Sequence, residues 1–190
     1  INGDYEYDVL VFGFWDGNAW KHITEECQPY IERFIQDGKG VLFGHDVFTQ
    51  GSHEFNYFKD YLKMNISTTM FGNLENNQSS IQIKQKGLLT NYPWIIGDVA
   101  DNLIIPASHT WQLVNNDIWM DFSTAYSSDG YVLTENELGT NNHYLSTWNN
   151  TAMIQTGHSR GQANPNEQKI LANTLFYLNQ LSDVNYLEDY

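Results

Sequence analysis

The sequence predicts a three-layer α/β domain with a mostly parallel open sheet, a C-terminal β-hairpin and a final helix. Two short apolar runs flank an amphipathic segment near the N-terminus, two further short strands come late, and a capped helical segment follows them. Strand, helix and strand in that order are typical of a right-handed crossover unit on a parallel sheet. A chain of 190 residues has room for one such domain with a sizeable core.

The first elements are defined by their apolar periodicity. The continuous apolar run 7–14 predicts a strand buried on both faces. Apolar side chains then recur at helical spacing: Trp20, Ile23, Cys27, Tyr30, Ile31, Phe34 and Ile35. Because Cys27 lies on this stripe, we expect a core thiol rather than a catalytic one. The run 40–44 predicts a second buried strand, and the aromatic spacing over 55–62 predicts a short helix after it.

The middle of the chain has weaker signals. Ile81 and Ile83 alternate with polar residues, which predicts a half-exposed strand. The run 103–105 predicts a short strand closed by Pro106, and the Asn-, Asp-, Ser- and Gly-rich segment 113–140 predicts irregular loops and short strands.

The C-terminal part has clear turn and capping signals. Segments 144–147 and 151–156 predict a hairpin around Asn149-Asn150. The run 164–167 then supplies an N-cap, a proline at the first helical position and a capping glutamate. The buried stripe expected for that helix is Ile170, Leu171, Leu175, Leu178 and Leu181. We expect one domain over 1–182 and an acidic tail over 183–190.

Charge and composition exclude several classes of partner. Nine Lys and Arg against 23 Asp and Glu give a net charge of −14, which opposes binding to nucleic acid or to anionic membranes. No apolar run approaches the roughly 20 residues of a membrane span. High Tyr, Trp and Asn content with few lysines favours a secreted or cell-surface protein. The chain does not begin with Met, which suggests a processed product or a piece of a larger protein, whose other domains are possible partners.

Polar residues follow directly on several predicted strands, where an open parallel sheet binds its ligands. His45, Asp46 and His158 are the candidate catalytic residues, because imidazoles and a carboxylate can transfer protons. The candidate ligand-binding residues are Trp15, Asp16, His109, Thr110, Trp111, Ser159 and Arg160. The indoles suit stacking against sugar rings. The alternative is that each histidine only ties its own turn together by bonding a nearby backbone carbonyl.

The run 157–161 also fits the G-x-S-x-G nucleophile elbow. An α/β-hydrolase needs its acid and its histidine after the serine, yet the 31 residues beyond Ser159 contain no histidine. The glycines therefore more plausibly permit a tight exit from the strand. The sequence contains no phosphate-binding loop, no H-E-x-x-H pair and no EF-hand loop, and it identifies no cofactor or metal.

The strand motifs resemble those of a known family. GKGVLFGHD, over 38–46, resembles the glycine-initiated strand ending in a histidine of the ThuA-like branch of the class I glutamine amidotransferase-like superfamily. The segment 154–178 resembles that family's closing strand, Gly157-His158 turn and final helix. The combination of a GHD turn, His109-Thr110 and a T-G-H-S-x-G turn is also similar to uncharacterised bacterial surface-protein domains.

The resemblance implies an amidotransferase- or flavodoxin-like fold without amidotransferase activity. The family's amidotransferases carry a cysteine at the elbow where this chain has His45, and their downstream His-x-Glu pair is absent. ThuA-like proteins are associated with sugar metabolism, which implies a carbohydrate-related ligand by analogy. Such folds usually have a strand before the one at Tyr7, so this chain is expected to lack its first strand.

Three functions follow as hypotheses. The first is an extracellular domain that binds a small polar or carbohydrate ligand at the strand carboxyl ends. The second is a metal-assisted hydrolase that uses the same histidines, with the ion supplying the activated water. The third is a structural or adhesive domain in which the segment 113–140 makes the contacts.

Overall fold

A computed structural model describes residues 5–13, 22–71, 78–123, 131–134, 137–156 and 162–184. The strands are β1 (Val9–Phe12), β2 (Gly40–Phe43), β3 (Met64–Phe71), β4 (Gln78–Ile83), β5 (Asn102–Ser108), β6 (Thr110–Val114), β7 (Asp117–Phe122), β8 (Tyr131–Thr134), β9 (Glu137–Gly139), β10 (Leu145–Trp148) and β11 (Thr151–Ile154). The helices are α1 (Gln28–Gln36), α2 (His53–Asn56), α3 (Leu88–Asn91) and α4 (Pro165–Val184), with 3₁₀ turns at Glu25–Cys27 and Lys59–Leu62.

Seven of the described strands form one sheet in the order β1-β2-β11-β10-β7-β4-β5. β1, β2 and β11 are parallel neighbours, whereas each later pair in that order is antiparallel. Five of the seven strands therefore run in the same direction, and only β10 and β4 are reversed. The mostly parallel α/β sheet and the hairpin of β10 and β11 are confirmed. β3 with β6, and β8 with β9, form two small additional ladders.

The sheet is covered on both faces, which makes three layers. Phe43 of β2 and Met153 of β11 belong to the same core cluster as Phe34 of α1. Leu42 and Ala152, which alternate with them along the strands, belong to the cluster of α4. This alternation is the period of two that a strand buried on both faces requires.

The close approach of α4 to the sheet depends on Gly40. A Cβ placed at Gly40 would lie 2.8 Å from the Leu178 Cβ, so no larger residue fits without moving the helix. The amide of Gly40 also donates to Ser182 Oγ at 3.0 Å. At the other end of α4, the Glu167 amide donates to Asn164 Oδ1 at 2.9 Å, which confirms the N-cap. The contacts of Gly40 with Leu178 and Ser182 thus fix the position of α4 against β2.

Two expectations for the N-terminal elements were wrong. β1 is an edge strand of the described sheet, and Val11 is 40% exposed, so the strand is not buried on both faces. Cys27 is exposed rather than in the core. The helix α1 begins only at Gln28, with Pro29 in its first turn, and Cys27 lies in the preceding 3₁₀ turn, outside the stripe of Ile31, Phe34 and Ile35.

The middle of the chain is more regular than its composition suggests. β5 continues through Pro106, which an edge strand tolerates because that proline has no N–H to give to a neighbour. Within the segment 113–140, residues 117–122 form β7, a central strand with Met120 and Phe122 in the core, so this described part is not a displayed loop. Among the described helices, none is both long and apolar enough to cross a membrane. Single-domain organisation stays a prediction, and 185–190 lie outside the described residues.

Candidate functional site

The turn after β2 places His45 and Asp46 at the carboxyl ends of the parallel strands. The Gly44 amide donates to Phe12 O of β1 at 2.7 Å, and the His45 amide donates to Thr156 O, just beyond β11, at 3.2 Å. Asp46 has a φ of 57°, a left-handed conformation that aspartate tolerates better than most residues. The turn is thus tied to both neighbouring strands, and its sharp reversal fixes the direction of the Asp46 side chain.

His109 reaches the same place from the junction between β5 and β6. Its ring centroid lies 4.5 Å from that of His45. Asp46 lies between the two imidazoles, with Oδ2 at 3.3 Å from His45 Nε2 and Oδ1 at 3.6 Å from His109 Nε2. All three side chains are buried, His45 completely. We refer to His45, Asp46 and His109 as the His–Asp–His cluster.

The carboxyl group of Asp46 is held in its charged form. Burial alone would raise its pKa, but hydrogen bonds and charge interactions with His109 and His45 outweigh that effect and bring the pKa well below its usual range. Asp46 is therefore a carboxylate at neutral pH, and it accepts from both sides. A buried carboxylate between two imidazoles is an arrangement that can bind a cation or orient a proton donor.

A buried layer of amide side chains lies beside the cluster. Gln155, just after β11, donates from Nε2 to Gln112 Oε1 at 2.7 Å, and Gln112 in turn donates to Phe48 O in the loop after β2 at 2.7 Å. The Thr110 hydroxyl, next to His109, donates to Gln112 Oε1 at 2.9 Å. This glutamine layer connects the His45–Asp46 loop, the start of β6 and the end of β11, so it fixes their relative positions.

His143 completes the glutamine layer as a neutral imidazole. Its Nε2 lies 2.9 Å from Gln155 Nε2 and accepts one of the amide protons. Burial lowers the pKa of His143 to about 3, because no charged partner compensates for the loss of water. At neutral pH His143 therefore serves as a fixed hydrogen-bond acceptor rather than as an acid or base.

Glu167 supports the turn from the other side instead of capping its helix. Its carboxylate accepts from the Thr156 hydroxyl and from Tyr144 OH, the latter at 3.5 Å. Burial raises the pKa of Glu167, with the two hydroxyl donors only partly offsetting that effect. The sequence predicted that the Glu167 side chain caps its helix. It instead contacts Thr156, whose carbonyl oxygen accepts from the His45 amide.

A cavity of about 280 Å³ opens beside Asp46. Its walls come from the segment before α1, from the loop between β2 and α2, and from β6. They are His22, Asp46, Thr49, Gln50, Gly51, Ser52 and Trp111. The lining therefore combines one carboxylate residue, two hydroxyl residues, one amide residue, an imidazole and an indole, and most of its exposed surface is apolar.

The structure brings together some of the predicted site residues. His45, Asp46 and His109 converge, and Trp111 lies at the cavity wall. Thr110 is fully buried and donates a hydrogen bond to Gln112, so it contributes to the packing around the site and not to ligand contact. The other predicted site residues lie outside the described residues: Trp15, Asp16, His158, Ser159 and Arg160.

Sequence reasoning missed the supporting residues Gln112, His143, Gln155 and Glu167, as well as His22 at the cavity wall. Gln155 was placed inside the predicted strand 151–156, and a polar side chain near the end of an otherwise apolar strand was the signal it carried. Gln112 carried none, since a glutamine within a strand ordinarily indicates a solvent-facing position.

Comparison with solved structures shows the fold. A ThuA-like protein from Bacteroides uniformis ATCC 8492 superposes with a TM-score of 0.55 at 10% identity, over 91% of this chain and 69% of that one. PurLQS from Thermotoga maritima gives 0.50 at 9% identity, over 94% and 84%. A β-galactosidase from the psychrophilic Marinomonas ef1 gives 0.51 at 12% identity, over 93% of this chain and 21% of the enzyme.

Searches against protein-family models and against curated proteins find no match. The expected likeness to surface-protein domains through the GHD and T-G-H-S-x-G turns therefore stays a prediction. What is shared is an architecture, and at these identities the likeness extends to the fold alone. The chain shares its mixed α/β fold with a ThuA-like protein and with PurLQS, in agreement with the fold class that the sequence predicts.

Proposed function

We propose that this chain binds a small polar ligand of the carbohydrate class in the cavity beside Asp46, without amidotransferase activity. The observation that carries the proposal is the lining of that cavity, where the Asp46 carboxylate and the Trp111 indole line the same space of about 280 Å³. Sugars present hydroxyl groups around the ring and an apolar C–H face, so they suit a carboxylate acceptor together with an indole.

The polar lining supports recognition of hydroxyl groups. The Thr49 and Ser52 hydroxyls lie 3.0 Å apart and can exchange donor and acceptor roles. Asp46 is negatively charged at neutral pH and accepts hydrogen bonds. A volume just under the usual range of roughly 300–1,000 Å³ for ligand pockets favours a ligand about the size of one sugar ring.

The absence of the amidotransferase nucleophile supports a different use of the strand ends. His45 and Asp46 follow β2, in the region where the resembling amidotransferases carry their cysteine, and the single cysteine of the chain is Cys27 at the surface. The likeness to a ThuA-like protein and to a domain-sized part of a β-galactosidase agrees with a carbohydrate ligand. A secreted or cell-surface location stays a prediction, based on the composition alone.

Calorimetric titration with a panel of monosaccharides tests the proposal. We expect at least one sugar to bind, and Trp111→Ala to weaken that binding by about tenfold or more, which corresponds to the loss of one aromatic stacking contact. Trp94→Ala is the matched control, because Trp94 is 54% exposed and does not line the cavity. Equal loss in both variants, or no binding by any sugar, would contradict the proposal.

A further inference from the structure

We propose that His45, Asp46 and His109 bind a divalent metal ion of the zinc type, and that the ion forms one wall of the ligand cavity. The metal site stands on the geometry of the His–Asp–His cluster, whereas its place in ligand binding rests on the function proposed above. Among the described residues, this is the one group of three or more His, Cys, Asp or Glu side chains whose potential ligand atoms converge for metal binding.

The potential donor atoms lie close enough together to share one ion. One ligand atom from each residue can be chosen such that all lie within 4.8 Å of one another. The Asp46 carboxylate lies 3.3 Å from His45 Nε2 through Oδ2 and 3.6 Å from His109 Nε2 through Oδ1. Bonds of about 2.1 Å in a tetrahedron place neighbouring donors about 3.4 Å apart, so small rotations of the three side chains would bring one donor of each to an ion.

The chemistry of the donor set agrees with that geometry. Two imidazoles and one carboxylate are a common set of protein ligands for zinc, and soft thiolate ligands are not needed. The carboxylate also lowers the cost of placing a divalent charge in a buried position. Because all three side chains are buried, little rotamer entropy remains to be lost when they bind the ion.

The surrounding structure holds these donors in place. The His45 backbone is bonded to Thr156 O, whose residue in turn contacts Glu167. The neighbour of His109, Thr110, is bonded to the glutamine layer. These contacts fix the backbone from which the His45 and His109 side chains extend, which is the support that a preorganised site requires. Three protein ligands leave one coordination position open, and Asp46 is shared between the cluster and the cavity.

An ion in this position has two possible roles. It could coordinate a hydroxyl oxygen of the ligand, which would strengthen binding of a sugar. It could instead lower the pKa of a bound water, which is the requirement of the metal-assisted hydrolase. Both roles need the same three donors, so metal binding itself is the first point to establish.

The test measures metal content and affinity in protein purified without chelator. We expect about one zinc ion per chain by elemental analysis, and uptake of Co²⁺ by metal-free protein with the intense visible absorption of a four-coordinate site. His45→Gln, Asp46→Asn and His109→Gln are each expected to weaken zinc binding by about 100-fold or more. Circular dichroism establishes that each variant is folded before its affinity is compared.

A histidine variant outside the site serves as the matched control. His53→Gln removes an exposed imidazole that is not part of the cluster. This variant should keep one zinc ion per chain. Sub-stoichiometric binding in the wild type, or equal affinity in the cluster variants and the control, would overturn the metal site. The His–Asp–His cluster would then be a hydrogen-bonded group only.

Sugar titrations with and without chelator separate this proposal from the function on which it rests. Sugar binding that survives metal removal but is lost in Trp111→Ala would keep the cavity and overturn the role of the ion in it. Zinc bound by the three residues with no sugar bound would keep the metal site and overturn the carbohydrate proposal. A sugar affinity that falls on chelation and returns with zinc supports both.

Discussion

The two ends of β2 and β11 both carry buried polar residues, yet they differ in what those residues contact. At the carboxyl ends, ionisable side chains face one another, with Asp46 between His45 and His109. At the amino ends, the Asn150 side chain faces the backbone, and Lys39 forms an ion pair with Asp8, at 2.6 Å from Nζ to Oδ1. Asn150 donates from Nδ2 to Ile35 O at 2.8 Å and to Lys39 O at 2.6 Å.

The amino ends also form a concavity, of about 410 Å³, wider than the cavity beside Asp46. Its lining includes Asn149, Asn150, Asp117 and Tyr177. The Asn150 amide group is used to tie the hairpin to the end of α1 and to the start of β2. A polar concavity at a strand end is therefore not by itself a site. The carboxyl ends are distinguished by the convergence of two imidazoles and a carboxylate, whereas the ion pair at the amino ends joins one carboxylate, of Asp8, to the ammonium group of Lys39.

The largest expected effect is a pH dependence that arises at the carboxyl ends. The pKa of His143 is about 3 in the folded protein and about 6.5 in the unfolded chain. The unfolded state therefore binds the proton more tightly, so stability is complete above pH 6.5 and is lost as the pH falls towards 3. We expect a loss of about 2 kcal/mol between pH 7 and pH 5, and about 4 kcal/mol by pH 3.

The measurement is the free energy of unfolding in urea at several pH values, for the wild type and for His143→Gln. The variant cannot titrate at this position, and its amide can still accept from Gln155. The difference between the two curves isolates the contribution of His143 from those of the carboxylates. Parallel curves would contradict a buried neutral imidazole.

The next effect concerns the glutamine layer. Gln155→Leu removes the amide group that donates to Gln112 Oε1 and to His143 Nε2, so each of these buried acceptors loses one donor. We therefore expect a loss of about 3 kcal/mol in the free energy of unfolding. Because the layer also holds Thr110, the NMR signals of the His109 ring should shift. A destabilised variant with unchanged His109 signals would show that the layer does not position the cluster.

Asn150→Ala is the matched change at the amino ends. It removes the two hydrogen bonds to Ile35 O and Lys39 O, and we expect a loss of about 2 kcal/mol in the free energy of unfolding. The His109 ring signals and any zinc affinity should stay as in the wild type. A change in either would mean that the two ends of the strands are not independent.

The smallest effect is expected at Cys27, which is exposed. Cys27→Ser should change the free energy of unfolding by no more than about 0.5 kcal/mol, as for most surface substitutions. In the folded wild type, a thiol reagent should label the cysteine completely and quickly. Labelling only after denaturation would indicate that Cys27 is buried, as the helical stripe in the sequence suggested.

Local signals in the sequence were enough for much of the fold. The run at β2 and the asparagine turn between β10 and β11 specify their own conformation through apolar periodicity and turn chemistry. Short strands were predicted within 113–140, but β7 was not located because its core residues Met120 and Phe122 are flanked by polar segments typical of loops. Cys27 was misplaced because the spacing of an apolar stripe does not reveal where a helix begins.

The candidate site was predictable only in its outline. The rule that ligands bind at strand carboxyl ends places His45, Asp46 and His109 at one edge of the sheet. The glutamine layer depends on contacts between residues far apart in the chain, such as Gln112 and Gln155, and no local pattern reports those contacts. The contact of Asp46 with the two imidazoles likewise could not be predicted. It depends on the left-handed backbone conformation of Asp46 and on the junction of β5 and β6, which positions His109.

The most direct test of the difference between the two strand ends is an NMR titration of metal-free protein with zinc, with the shifted backbone signals mapped on the structure. If zinc binds at the His–Asp–His cluster, the backbone signals of 44–52 and 108–112 shift and saturate at one equivalent of zinc, while the signals of 38–39 and 149–150 stay unchanged. Shifts centred on the Asp117 and Asn149 concavity, or dispersed over the surface without saturation, would contradict it.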